Sequence, residues 1–115
     1  MAVDATWVRE LALSLPGTEE RETWGEATFR VRDRIFAMMR PEGDAVSIKA
    51  TLDDQAALVE AAPETFAVSA YTGRFGWVTV QLGSVGPEIL RRLVVGAWRR
   101  TAPRRLVAAY DARAS

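Results

Sequence analysis

The chain has 115 residues, 49% apolar and 26% charged, and its 15 basic and 15 acidic side chains cancel. That balance is the one ordinary globular domains show, and the longest apolar run, around Leu93 to Trp98, is far short of the roughly 20 residues that cross a bilayer. With neither Cys nor His the sequence excludes disulfides, thiolate nucleophiles and iron–sulfur clusters, and it lacks the side chain most used for proton transfer and transition-metal binding near neutral pH.

The elements are expected in this order. Asp4 caps a first helix with Trp7, Val8, Leu11 and Leu15 on one stripe, stopped by Pro16-Gly17. Thr18 to Glu26, rich in Glu, reads as an exposed connection. Ala27 to Arg32 alternates as a strand, with Phe29 and Val31 on one face and Thr28, Arg30 and Arg32 on the other. Arg34 to Arg40 is apolar on both faces, as a central strand is, and Pro41 to Asp44 turns into a third strand, Ala45 to Ala50. Asp53 is the expected cap of a short helix carrying Ala57, Leu58 and Ala61 inward and ending before Pro63. Two more strands, Phe66 to Tyr71 and Gly76 to Leu82, flank a turn at Thr72 to Gly76. A long helix opens at Pro87 with the stripe Leu90, Leu93, Val94, Ala97 and Thr101, and a further helical piece covers Arg104 to Ala112.

The order α-β-β-β-α-β-β-α predicts one two-layer α+β domain over residues 1–115, an antiparallel five-stranded sheet with helices on one face and the other face open. No secretory signal is evident at the N-terminus, so a cytoplasmic protein is expected.

Read along the chain, Leu13-Ser14-Leu15-Pro16-Gly17, Trp24-Gly25 before Phe29-Arg30-Val31, Ile35-Phe36-Ala37, Lys49, Gly76-Trp77-Val78 and the Leu93 to Trp98 helix together resemble the MmcQ/YjbR family, from about residue 5 to residue 110. The resemblance implies a secretion-chaperone-like or frataxin-like α+β fold and a DNA-binding role, with a paired-wing mode attached to the fold.

Charge points the same way. Acids outnumber bases up to residue 64, whereas from Thr65 onward there are two acids and eight arginines. Arg91, Arg92, Arg99, Arg100, Arg104 and Arg105 fall between Ile89 and Tyr110 with no acid among them. Arg91, Arg92 and Arg99 lie opposite the apolar stripe, where guanidinium groups can meet one phosphate track or simply form a solvated helix face. On the open sheet face, strand alternation places Lys49 and Trp77 beside Arg30, Arg32, Thr79 and Gln81, a surface able to stack a base and hold a phosphate, or to pack against a second subunit. Arg74 stands at the tip of one potential wing, while Glu42 and Asp44 in the other would repel phosphate.

No chemistry competes with a binding role. Glu19, Glu20, Glu22 and Glu26 lack the spacing of a metal loop, the serines have no histidine partner, and phosphate-cradling glycine motifs are absent. The expectation is a non-enzymatic protein with no cofactor or metal, binding nucleic acid weakly and without sequence preference through Arg91, Arg92, Arg99, Arg104 and Arg105, with Arg74, Lys49 and Trp77 as further contacts. The alternative is a protein-interaction or chaperone-like module that forms a homodimer or holds a peptide on the open sheet face.

Overall fold

The computed structural model describes residues 3–114. Helix α1 (Ala5–Ser14) leads into four strands, β1 (Thr18–Thr23), β2 (Glu26–Val31), β3 (Arg34–Met39) and β4 (Ala45–Ile48). Helix α2 (Leu52–Ala61), strand β5 (Phe66–Val68), a single 3₁₀ turn (Gly73–Phe75) and strand β6 (Val78–Gln81) follow, and helices α3 (Pro87–Thr101) and α4 (Arg104–Ala114) close the chain. Asp4 caps α1 as expected, its Oδ1 accepting the Trp7 N–H at 2.9 Å.

The sheet is antiparallel but has six strands, not five, in the order β1-β2-β3-β4-β6-β5. The additional strand is β1, in the stretch expected to be a connection, and it pairs with β2 from Thr18 opposite Val31 to Thr23 opposite Glu26. Thr-Glu-Glu-Arg-Glu-Thr carries no apolar alternation because the strand lies at the sheet edge, where charge blocks pairing with another chain. Two tight hairpins order this half of the sheet. Trp24-Gly25 (φ 56° and 82°) joins β1 to β2, and Arg32-Asp33 (φ 52° and 65°) joins β2 to β3. Two consecutive left-handed residues match the right-handed twist of the flanking strands. Arg32 therefore belongs to a turn and not to the face of β2. A register shift beside Phe29 and Arg30 leaves Phe36 as the extra residue of β3 and bends both strands.

Helix α2 departs from expectation in its cap and its inward face. Thr51 is the cap, its Oγ1 accepting the Asp54 N–H at 3.1 Å, and Asp53 and Asp54 lie in the first turn, where the helix dipole favours them. Ala57 and Ala61 are exposed, Leu58 is half-buried, and the buried residue is Gln55. Few methylenes attach α2 to the sheet, so its polar contacts carry unusual weight.

The core lies between one face of the sheet and the helices. Phe29, Val31, Phe36, Ile48, Val78 and Val80 from the strands meet Val8, Leu11 and Ala12 of α1 and Leu90, Val94 and Ala97 of α3. Leu93, expected in the stripe, is half-buried, and Trp98 is wholly enclosed. Its indole Nε1 donates to the Pro16 carbonyl at 3.0 Å, tying α3 to the end of α1, and its ring lies 5.2 Å from that of Tyr110 in α4. Replacing Trp98 with Phe removes the donor from a carbonyl 82 residues away in sequence and opens a void, so stability is expected to fall by about 1–3 kcal/mol, read as a lowered urea midpoint.

Candidate nucleic-acid interface

The arginines of α3 do not converge on one track. The buried residues Leu90, Val94, Ala97, Trp98 and Thr101 define the inward side, and successive residues turn by about 100° around a helix. Arg92 and Arg99 therefore point directly outward, and Arg91 and Arg100 stand on opposite flanks. Arg91 places its guanidinium 5.7 Å from the centroid of the Trp7 ring in α1. Arg92 is exposed and shares a cleft with Asp54, Leu58, Ile89 and Leu93. Arg100 reaches the other way and donates to the Lys49 carbonyl at 3.2 Å.

Arg99 is neutralised. It forms a two-pronged ion pair with Asp111 of α4, Nη1 donating to Oδ2 at 3.2 Å and Nη2 to Oδ1, and its guanidinium lies 5.6 Å from the Tyr110 ring centroid. The hydrogen bonds to Asp111 raise the arginine's pKa above its ordinary value and hold the Asp111 carboxyl below the usual carboxylate range. Asp111 lies one residue beyond the acid-free stretch, and the fold-back of α4 brings it there. The pair persists from neutral pH downward until the depressed Asp111 pKa is crossed. Arg104 and Arg105, at the start of α4, are exposed and form no ion pair among the described residues.

The expected sheet surface needs larger corrections. Trp77 is buried, at 8% exposure, and precedes β6 instead of alternating within it, so its ring offers no stacking platform. Lys49 is half-buried beyond the end of β4. Arg30 lies down along the sheet, donating to Thr28 Oγ1 at 3.1 Å and to Thr23 Oγ1 at 2.8 Å. Thr79 and Gln81 remain half-buried, on the face away from Val78 and Val80.

A different surface takes the platform's place. On the open face, cross-strand pairing sets Met38, Ser47, Thr79 and Ala67 in one row across β3, β4, β6 and β5. The row floors a trough of about 460 Å³, bounded by Glu26, Arg40 and Gln81 at one end and by Ala70, Tyr71 and Thr72 at the other. Tyr71 is 96% exposed at φ 64°, and Phe75 is 63% exposed with the Arg74 guanidinium 4.8 Å from its ring centroid. The backbone beneath these rings is fixed. The Gly73 N–H donates to the Ser69 carbonyl at 2.9 Å, and the Ser69 N–H to the Trp77 carbonyl at 3.2 Å. Gln55 Nε2 of α2 donates to the Gly73 and Trp77 carbonyls at 2.8 and 2.7 Å. Gly76, at φ 98°, passes so close to α2 that a Cβ there would stand 2.7 Å from the Ala50 carbonyl oxygen.

A family model for YjbR matches residues 13–100. The chain belongs to the YjbR family. The crystal structure of Deinococcus radiodurans protein DR2400, which carries a DUF419 domain, superposes with a TM-score of 0.75 at 25% identity, covering 81% of this chain and 74% of that one. No curated protein matches. The YjbR match spans the whole sheet, the Tyr71 to Phe75 platform and α3 as far as Arg100, and it leaves Arg104, Arg105 and Asp111 outside.

The sequence reading missed the platform. The signal present in the sequence was a pair of aromatics, Tyr71 and Phe75, bracketing Gly73 in a turn whose chemistry calls for neither ring. Replacing Gln55 with Met removes both hydrogen bonds while keeping the side chain's length. Stability is expected to fall by about 1–3 kcal/mol, and the Ser69 and Gly73 amides are expected to exchange with solvent ahead of those of β4 and β6, as measured by hydrogen–deuterium exchange.

Proposed function

We propose that this YjbR protein is a non-enzymatic nucleic-acid-binding module that takes unpaired bases on Tyr71 and Phe75 and holds phosphates with Arg74 and the exposed arginines Arg91, Arg92, Arg104 and Arg105. The reading rests on Tyr71, a nearly fully exposed ring on a left-handed residue, beside a second exposed ring that already carries a guanidinium. Successive bases stack on such rings whatever their sequence, and an arginine beside them neutralises the backbone. Relative to the sequence-based expectation, weight moves from the helix to the turn. Arg99 is occupied by Asp111, and Asp54 beside Arg92 opposes a phosphate there. With zero net charge, affinity at physiological salt is expected in the range of about 10⁻⁴ to 10⁻⁶ M.

A second reading, a protein-interaction module, is favoured by the contrast between the two sheet edges. β1 carries four charged residues in six, whereas β5 is Phe-Ala-Val with Ala67 and Val68 exposed. An uncharged edge is the one able to accept a further strand. Light scattering distinguishes the readings, since a stable dimer that breaks on Val68→Lys supports the second and a monomer at all concentrations removes self-pairing through this edge.

Fluorescence anisotropy of a labelled single strand at low salt tests the first. The Tyr71→Ala/Phe75→Ala variant is expected to bind at least tenfold more weakly, since each stacked base contributes about 1–3 kcal/mol, with its circular dichroism unchanged. Absence of any titration by single strand or duplex ends the proposal. Asp111→Asn releases Arg99, so the log–log salt slope for a single strand is expected to steepen by about 0.7.

A further inference from the structure

We infer that the cleft between α2 and α3 is a self-association face, on which a second copy of this chain docks about a two-fold axis. The inference goes beyond the nucleic-acid reading and uses a surface other than the Tyr71 to Phe75 platform. The cleft holds about 340 Å³, with Asp54, Ala57 and Leu58 on the α2 wall and Ile89, Arg92 and Leu93 on the α3 wall. Four of these six side chains are apolar. Ile89 is 43% exposed, Ala57 is exposed, and Leu58 and Leu93 are half-buried, so both walls leave apolar surface in water.

Charge decides what fits there. α2, Leu-Asp-Asp-Gln-Ala-Ala-Leu-Val-Glu-Ala, has three acids and no base, whereas α3 has four arginines and one acid, Glu88. Three of those arginines are engaged, Arg91 over the Trp7 ring, Arg99 with Asp111 and Arg100 with the Lys49 carbonyl. Among the described residues Arg92 has no ion pair, hydrogen bond or ring contact, and the Asp54 carboxylate across the cleft has no ion pair. A polyanion entering the cleft meets Asp54 and a polycation meets Arg92, so the occupant has to bring both signs, each opposite its counterpart. A second copy brings them by symmetry. A two-fold axis along the cleft lays the α2 wall of each copy over the α3 wall of the other, setting Asp54 against Arg92 twice and Ile89 against the small Ala57. An axis across the cleft would lay α2 on α2 and acid on acid, so the charges select the first arrangement. Zero net charge removes the long-range repulsion that otherwise keeps copies apart. With only the 10 residues of α2, about 15 Å, on one side, the face is at the small end of specific interfaces, and the dimer is weak and reversible. In it Arg92 answers a carboxylate and leaves the phosphate contacts to Arg74, Arg91, Arg104 and Arg105.

Sedimentation velocity of the full chain without nucleic acid, from about 1 μM to about 1 mM, is expected to show a reversible monomer–dimer equilibrium. Asp54→Lys and Arg92→Glu each turn both symmetry-related contacts into like-charge pairs, and each is expected to weaken dimerisation at least tenfold with circular dichroism unchanged. An equimolar mixture of the two variants is expected to dimerise again. In a mixed dimer the introduced lysine faces the introduced glutamate, and the retained Arg92 faces the retained Asp54. Neither a folding defect nor a contact within one chain gives recovery on mixing. A wild-type chain that stays monomeric throughout overturns the proposal and leaves the cleft to a partner of another sequence. A dimer indifferent to both variants, or a mixture that stays monomeric, overturns it as well, and a dimer abolished only by Val68→Lys belongs to the β5 edge instead.

Discussion

One buried carboxamide, that of Gln55, holds together the segment that carries the exposed rings of Tyr71 and Phe75. Helix α2 contributes little apolar surface, and the connection from β5 to β6 has only a single 3₁₀ turn of its own. Gln55 joins them with two short hydrogen bonds, to the Gly73 and Trp77 carbonyls, each of which also accepts a backbone N–H within the connection. Each carbonyl keeps its backbone donor when the side chain is lost, so what Gln55 adds is the tie between α2 and the connection, at the modest net value of two buried bonds. Gly73 and Gly76 make the close approach possible. A Cβ at Gly73 would lie 2.3 Å from Val68 Cγ1, and one at Gly76 would meet the backbone of Ala50 to Leu52. A tethered backbone and exposed rings are properties of one segment, so in the proposed binding the turn would need no ordering when a ligand arrives.

Electrostatics in the helical layer is more local than the sequence suggests. In the amino-terminal half, Arg9 pairs with Glu20 at 2.8 Å, tying α1 to β1, and Arg21 pairs with Asp33 at 2.8 Å. In the carboxy-terminal half the Arg99–Asp111 pair, with Tyr110 under the guanidinium, fastens α4 onto α3 beside Trp98. All of these pairs are substantially exposed, so their effect on stability is small and their effect on charge display is the larger one. Among the described residues no ion pair joins an arginine of α3 or α4 to a carboxylate of the amino-terminal half, so the charge asymmetry along the chain survives folding with one arginine removed from it.

Much of the fold was legible because the buried elements obey simple periods. α1 and α3 show their apolar stripes, β2 and β4 their alternation and β3 its unbroken apolar run, and the YjbR likeness carried by Pro16-Gly17, Trp24-Gly25 and the α3 helix agrees with the family match. β1 was illegible for a physical reason. An edge strand with its solvent side charged has no apolar signature, and its place in the sheet comes from the tight Trp24-Gly25 turn and from pairing with β2. The contacts among Ser47, Ser69 and Thr79 were equally hidden, since the three lie in separate segments: the β4–β6 pairing, which skips β5, sets Ser47 against Thr79, and the β5–β6 pairing brings Ser69 to the same place. Trp77 shows the converse error. Alternation extended one residue too far placed a ring on the open face, whereas the left-handed Gly76 starts β6 at Val78 and leaves Trp77 buried.

The two most exposed rings of the chain share a backbone peculiarity. Trp24 and Tyr71 are each 96% exposed, and each has positive φ, 56° and 64°. For a bulky side chain that conformation costs about 1–2 kcal/mol relative to the right-handed region, and Gly or Asn would relieve it. Hairpin geometry explains the backbone at Trp24, where a two-residue turn demands left-handed residues, but it does not explain an indole there. No two-residue hairpin imposes the conformation at Tyr71. Neither ring contributes to the core, so folding selects against both residues and gives no reason to keep them. The hairpin holding Trp24 runs directly into Glu26 at one end of the trough, and Tyr71 stands at the other. Trp24 does not line the trough whereas Tyr71 does, so of these two strained rings it is Tyr71 that bears on the stacking surface proposed above.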